Sequence, residues 1–275
     1  MTTAAQGRVR PGRAWRTLRI TPLGESLATG RLAATAIRLV LQVFLVTCLW
    51  RALYAQTDSS AGLDREQAVT FAVAAALLTR VRGIDRRAGR DTVFQHLQFG
   101  TIVYWFLRPL SPGRYYFFRA LGEQLYALAW AAAGYLVCRL FGLIEAPASA
   151  AAGILALLSV CAGQVIVYYL MLLVDLLCFW TLKNYAAIMI ITFVQNLLSG
   201  AFAPLWFFPD WFRTMSSLLP FQSTLNVPLS IYIGRIPLSD VPLEFLVQFV
   251  WAVLLAVAAR VVWARAGRRV VSQGG

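Results

Sequence analysis

The chain has 275 residues, 59% of them apolar and 13% charged, with a mean hydropathy of +0.66 and a formal net charge of +13. Water-soluble domains carry about a quarter charged residues, so the composition excludes an ordinary soluble enzyme or binding module and marks an integral membrane protein. The surplus charge comes from 24 Arg and a single Lys. Such a surplus can serve nucleic acid, but its placement here follows membrane topology, and no nucleic-acid partner is expected.

Crossing the hydrocarbon takes about 20 mostly apolar helical residues. Six stretches qualify, some marginally, which leaves no room for a large soluble domain. Residues 1–31 come first, with Arg8, Arg10, Arg13, Arg16, Arg19 and Arg31 but no continuous apolar run, so no cleaved signal peptide is read. Trp15, Leu18, Leu23 and Leu27 among these arginines suit an interfacial amphipathic helix broken at Pro22. The first span is expected from about Leu32 to Tyr54, with Arg38 and Arg51 placed to snorkel into the headgroups. The polar run AQTDSSAGLDRE follows. The second span, from about Gln67 to Val81, is barely long enough and meets RVRGIDRRAGR, the densest basic run.

The third span is expected from about Tyr116 to Leu140 and the fourth from about Ala148 to Leu177. FGLIEAP separates them, and its Pro147 suits the first residue of a helix. The fifth runs from about Tyr185 to Ala203 and ends in GAFAPLWFFPDWF; the last runs from about Val241 to Trp263. Residues 32–265 thus form one six-helix membrane domain and 266–275 a cytoplasmic tail. Cys48, Cys138, Cys161 and Cys178 all lie in apolar segments without C-x-x-C spacing, and read as small hydrophobes rather than metal ligands.

Of the basic residues, 18 fall in segments this topology places inside, and only Arg65, Arg213 and Arg235 fall outside; Arg38, Arg51, Arg139 and Arg260 sit in or at the edges of spans. The positive-inside rule therefore puts both termini of a multi-pass membrane protein in the cytoplasm. The same orientation places residues 82–118 on the inner face. Val93, Phe94, Leu97, Ile102, Tyr104 and Phe106, interspersed with polar residues, suit a half-buried horizontal helix. Arg108 before Pro109 ends it, Pro112-Gly113 makes a turn, and Tyr115 to Phe118 form an aromatic anchor for the third span. This is the corner on which a soluble partner would push; the plainer alternative is a solvated basic loop that only obeys the topology rule.

YWFLRPLSP after the second span, LLSGAFAPLWFFPDWFRTMSSLLPFQSTLNVPLSIYIGRI after the fifth, and the terminal SQGG resemble the six-helix permease subunits of bacterial type-2 ABC exporters of the daunorubicin-resistance-like kind. The resemblance covers the chain from about residue 20. It implies an all-α membrane protein with both termini cytoplasmic, a coupling helix between helices 2 and 3, and an extracytoplasmic re-entrant hairpin between helices 5 and 6. It also implies a second permease subunit, identical or a different paralogue, and a separate ATPase dimer. By position, the ATPase contact falls on about Arg86 to Gln98, with Arg86, Arg90, Asp91, Phe94 and His96 the candidates and Arg108 in the supporting LRPLSP turn. The chain has no G-x-x-x-x-G-K-[ST], and Lys183 in WTLKNY has no glycine loop beside it. No cofactor is therefore expected on this chain, and ATP and Mg belong to the partner ATPase.

Pro204 removes a backbone donor and breaks the fifth helix, and Pro220 ends a short helix that begins near Asp210. Trp206, Phe207, Phe208, Trp211 and Phe212 then suit either an outer gate over the substrate path or an aromatic belt. Gln195 and Asn196 lie mid-span in the fifth helix, where they line a path or join helices. Glu123, Gln124 and Asp175 are polar groups at membrane depth, for which pairing with Arg38 or the basic inner loop is the plainer account. An integral membrane transferase is disfavoured, because the one histidine, His96, has Thr101 where an H-x4-D aspartate would stand. An ATP-independent channel or scaffold is the alternative to the exporter reading. The cargo, a drug, antibiotic, peptide or lipid-like compound, is not fixed by sequence.

Overall fold

A computed structural model describes residues 29–55, 59–60, 62–82, 112–181 and 185–273. The elements are α1 (Thr29–Leu53), a two-residue antiparallel ladder of β1 (Ser59–Ser60) and β2 (Leu63–Asp64), α2 (Arg65–Arg82), α3 (Pro112–Leu140), α4 (Ala150–Leu176) and α5 (Cys178–Thr181). They continue with α6 (Tyr185–Leu198), α7 (Asp210–Ser217), α8 (Asn226–Tyr232) and α9 (Val241–Gln273). Each of the six stretches expected to span contains a helix. Three are long and apolar enough to cross a bilayer: Leu32–Leu53, Ala150–Thr181 and Val241–Ala266. α6 is apolar but has 14 residues, and α2 and α3 fall short in apolarity.

Packing explains the weakness of α2. Every residue from Ala68 to Leu77 is buried, most of them small. One flank packs with Leu39, Val43 and Trp50 of α1 and Ala131 and Cys138 of α3; Phe71, Ala74 and Ala75 join Leu225 and Leu229 on another. A helix walled in by protein on every side needs small residues for close approach and no lipid-facing apolar coat. Gly134 of α3 shows how close this is, since a Cβ there would lie 2.7 Å from Leu77 Cδ2. α1 does the opposite: Leu39, Val43, Thr47 and Trp50 make a single buried seam, and Ile37, Val40, Phe44, Leu45 and Leu49 stay exposed.

The directions of the helices follow from their contacts. The Glu145 amide, just past the end of α3, donates to Thr70 Oγ1 near the start of α2 at 3.0 Å, so these two run antiparallel. Tyr115 and Tyr116 at the start of α3 cluster with Leu176 and Cys178, which makes α4 antiparallel to α3. α9 runs parallel to α4: Val241 lies with Ala156, Gln248 bonds Ser159, and Ala259 lies with Tyr168 and Leu172. Residues 141–149 and the turn after Tyr232 therefore meet at one rim. Tyr232 Oη donates to the Glu145 carbonyl at 2.7 Å, the Ala148 amide to the Tyr232 carbonyl at 3.0 Å, and Arg235 to the Gly62 carbonyl at 3.3 Å.

Several boundaries differ from expectation. Pro112 and Gly113, expected as a turn, are the first residues of α3, where proline's missing N–H is no loss. Tyr115 and Tyr116 are buried against α4 and α9 and are not an interfacial anchor, although Phe117 is exposed. α4 begins at Ala150, capped by the Ser149 hydroxyl accepting from the Ala152 amide at 3.0 Å, while Pro147 packs over Gly153. α6 stops at Leu198, five residues before the expected end. The stop is Gly200, whose φ of +80° lets the Ala201 amide reach back to the Asn196 carbonyl at 3.0 Å; Pro204 comes too late to matter. α9 continues through Gln273, so most of the expected tail is helix.

Candidate functional site

Between α6 and α9 the chain folds into the bundle. After Gly200 come a 3-10 turn (Leu205–Phe207), α7, a second 3-10 turn (Gln222–Thr224) and α8, which returns to the rim. The tip at residues 222–226 is deeply enclosed, with Ser223, Thr224 and Leu225 at 0–1% exposure. α4 admits it at Gly163, where an added Cβ would meet the Ser223 carbonyl at 3.0 Å and Thr224 Cα at 3.1 Å. α9 holds it with one side chain: Gln248 Nε2 donates to the Ser223 carbonyl at 2.8 Å, Ser159 Oγ at 2.8 Å and the Ser159 carbonyl at 3.2 Å. Gln248 is seven residues into α9 and Ser159 nine into α4, so at 1.5 Å per residue the junction lies roughly 10–14 Å below the helix starts. Irregular backbone at that depth in two apolar helices must be satisfied by protein, and Gln248 does so for the tip.

The seam around the tip is polar beyond what its bonds use. Gln248 Oε1, Ser223 Oγ and Asn226 Oδ1 are buried there without a hydrogen-bond partner among the described residues, as are, elsewhere on α4 and α6, both amide atoms of Gln164 and Gln195 Nε2. Asn226 Oδ1 would touch a Cβ on Gly200 at 3.5 Å, so the end of α6 also borders the tip. Burying such a group unpaired costs about 1–3 kcal/mol.

Of the expected gate residues, Gln195 is buried and Asn196 half-buried on α6. The aromatics divide. Trp206 sets edge-on to Phe71 at 4.9 Å, with the Arg235 guanidinium 4.5 Å over its ring. Phe207 packs on Trp50 at 5.4 Å, and Phe208 stacks on the buried Phe212 at 4.6 Å. Only Trp211 of these is largely exposed, at 68%. Most of the expected outer belt therefore fastens the hairpin to α1, α2 and itself. The expected coupling residues Arg86, Arg90, Asp91, Phe94, His96 and Arg108 lie outside the described residues. Asp175 accepts a hydrogen bond from the Tyr116 hydroxyl, Glu123 pairs with Arg119 at 3.4 Å, and Gln124 donates to the Gln164 carbonyl at 3.4 Å.

At the rim, Glu145 lies against Glu66. The hydrogen bond between the two carboxyl groups, followed by partial burial and the charges of Glu66 and Asp64, raises Glu145 above the usual carboxylate range, and Arg139 opposes this. Among the described residues no group of three His, Cys, Asp or Glu side chains is placed to hold a metal.

Sequence reading missed Gln248, Ser159, Gly163 and Gln164. Their signal was present, as isolated polar or small residues within the two most apolar long helices, with Ser159 and Gly163 one turn apart.

Comparison with known families matches residues 40–274 to a model described as ABC-2 family transporter protein. No curated protein and no solved structure matches. A match over that length, to a chain built of long apolar helices with a segment folded between them, places this protein in the ABC-2 transporter family.

Proposed function

We propose that the chain is the transmembrane permease subunit of an ATP-driven exporter in the bacterial cytoplasmic membrane. It crosses six times with both termini inside, pairs with a second permease, identical or paralogous, and forms the translocation path for a drug, antibiotic, peptide or lipid-like compound. The observation that carries the reading is family membership from residue 40 to 274 in a chain whose sequence has no phosphate-binding loop. Energy then has to come from a separate ATPase dimer holding ATP and Mg. Orientation is supported by the basic residues: 18 of the 25 fall in segments that this topology places inside, and only Arg65, Arg213 and Arg235 in those it places outside. In this reading the hairpin stands at the outer mouth of the path, and the segment from Arg86 to Gln98, with Arg108 beyond it, receives the ATPase.

The test is co-purification. The chain is expressed with the ATPase encoded nearest to it and any neighbouring permease, and captured by a tag on this chain alone. ATPase that comes along and hydrolyses ATP, and that is lost on reversing the charges of Arg90 and Asp91, is the expected result. Association that survives the reversal moves the contact elsewhere. No association with the intact chain overturns the exporter in favour of a channel or scaffold.

A further inference from the structure

We propose that Gln248 is the positioning residue that holds the hairpin tip in place, and that releasing its amide opens the polar seam beneath the tip to the outer solution. The proposal rests on the exporter reading only in placing that seam on the translocation path. The attachment itself stands on the geometry.

Three observations converge. Gln248 is 1% exposed, and its Nε2 faces three acceptors, two on α4 and one on the tip. An amide nitrogen has two hydrogens, so the group is fully used on the donor side, while its Oε1 has no partner. The orientation is forced, because a flipped amide would set Oε1 against the carbonyls of Ser159 and Ser223. Second, the hydrogen bond from Gln248 to the Ser223 carbonyl joins the tip directly to α9. The tip also fits closely over Gly163 of α4. Third, Ser223 Oγ, Asn226 Oδ1 and Gln248 Oε1 beside the tip are buried hydrogen-bonding groups with no partner among the described residues. They gain partners only when water or a polar part of a cargo reaches them, which offsets part of the cost of moving the tip. The Gln248 amide thus biases the balance between a closed seam and a hydrated one.

The test reads the reactivity of a thiol at the tip in the full chain with its partner subunits. Ser223→Cys is a close substitution that loses no hydrogen bond, since Ser223 Oγ makes none and its carbonyl is retained. A membrane-impermeant maleimide is applied to intact cells, and modification is read by mass spectrometry at residue 223 and at the native Cys138, which is buried in a different cluster. With Gln248 present, residue 223 is expected to react slowly without ATP turnover. Gln248→Leu is expected to raise its rate roughly 10- to 30-fold, the effect of leaving the buried Ser223 carbonyl without its donor, with Cys138 unchanged. Ser159→Ala leaves Nε2 two carbonyl acceptors for its two hydrogens and is expected to be silent. A residue 223 that reacts no faster in Gln248→Leu, with Cys138 still protected, overturns the proposal. Should Gln248→Leu expose Cys138 as well, Gly163→Ala decides by the same criterion, because its Cβ presses on the tip from the α4 side. Turnover dependence is a separate reading: a rate at residue 223 that rises with Gln248→Leu but never responds to ATP leaves the attachment in place and removes the exporter.

Discussion

α1 and α2 are neighbours joined by a short connector, yet they solve opposite problems. α1 is one of the three helices apolar enough to cross a bilayer by composition alone, and only 17% of its apolar window is buried. α2 is not among those three, but from Ala68 to Leu77 it is buried without a break. Between these two helices, hydropathy follows the exposed apolar surface more than membership of the core. Of the two, the helix easier to find in the sequence is the less embedded, and the harder one sits between α1, α3 and the hairpin.

Substitutions on the two helices should separate sharply. Phe71→Ala empties a site with 0% exposure against Trp206 and is expected to cost about 3–5 kcal/mol, whereas Phe44→Ala, at 61% exposure on α1, should cost under about 1 kcal/mol. Unfolding in detergent, followed by tryptophan fluorescence, checks both; equal effects would break the contrast. Gly134→Ala sharpens it from the α3 side. The Cβ displaces Leu77 Cδ2, a movable side-chain end, so about 1–2 kcal/mol is expected, and a larger aliphatic residue there should reduce the yield of folded protein. Arg235→Ala removes the cation over Trp206 and the bond to the Gly62 carbonyl, and should cost about 1 kcal/mol in the same assay.

The smallest effect concerns the rim that joins α2 to the loop after α3. Because the Glu145 carboxyl is raised in the folded protein, its contribution is complete below the ordinary carboxylate range and is lost as pH rises through its raised value. Glu145→Gln stays neutral, so the melting-temperature difference between variant and wild type should favour the variant more at neutral pH than at about pH 4. A difference that does not vary with pH would detach Glu145 from Glu66.

Much of the architecture was legible because helix-length apolar runs and breakers are local signals. All six helical positions, the short helix at Asp210 and its end before Pro220 could be read that way. The missing part was three-dimensional. Pro204 looked like the stop of α6, but Gly200, free to adopt positive φ, had already ended it. Tyr115 and Tyr116 looked like an interfacial belt because aromatic residues mark membrane entry, yet their place in the bundle turns them inward against Tyr168 and Leu176. Gln248 gave no cue beyond being one polar residue between Val247 and Phe249, and its role depends on Ser159 and Ser223, 89 and 25 residues away. The aromatic run from Trp206 to Phe212 was found, but which rings face protein was fixed by Trp50 and Phe71 on other helices.

The unbroken length of α9 carries one more consequence. From Gln248 to Gln273 the helix extends 25 residues, about 37 Å at 1.5 Å per residue, with no proline along that length. It is a stiff lever with its short arm at the hairpin and its long arm at the arginine-rich rim. A tilt of about 5° pivoted near Gln248 sweeps the far end by roughly 3 Å over that length. Run in reverse, a displacement of that size applied at the arginine-rich end turns the helix at the very residue that grips the tip.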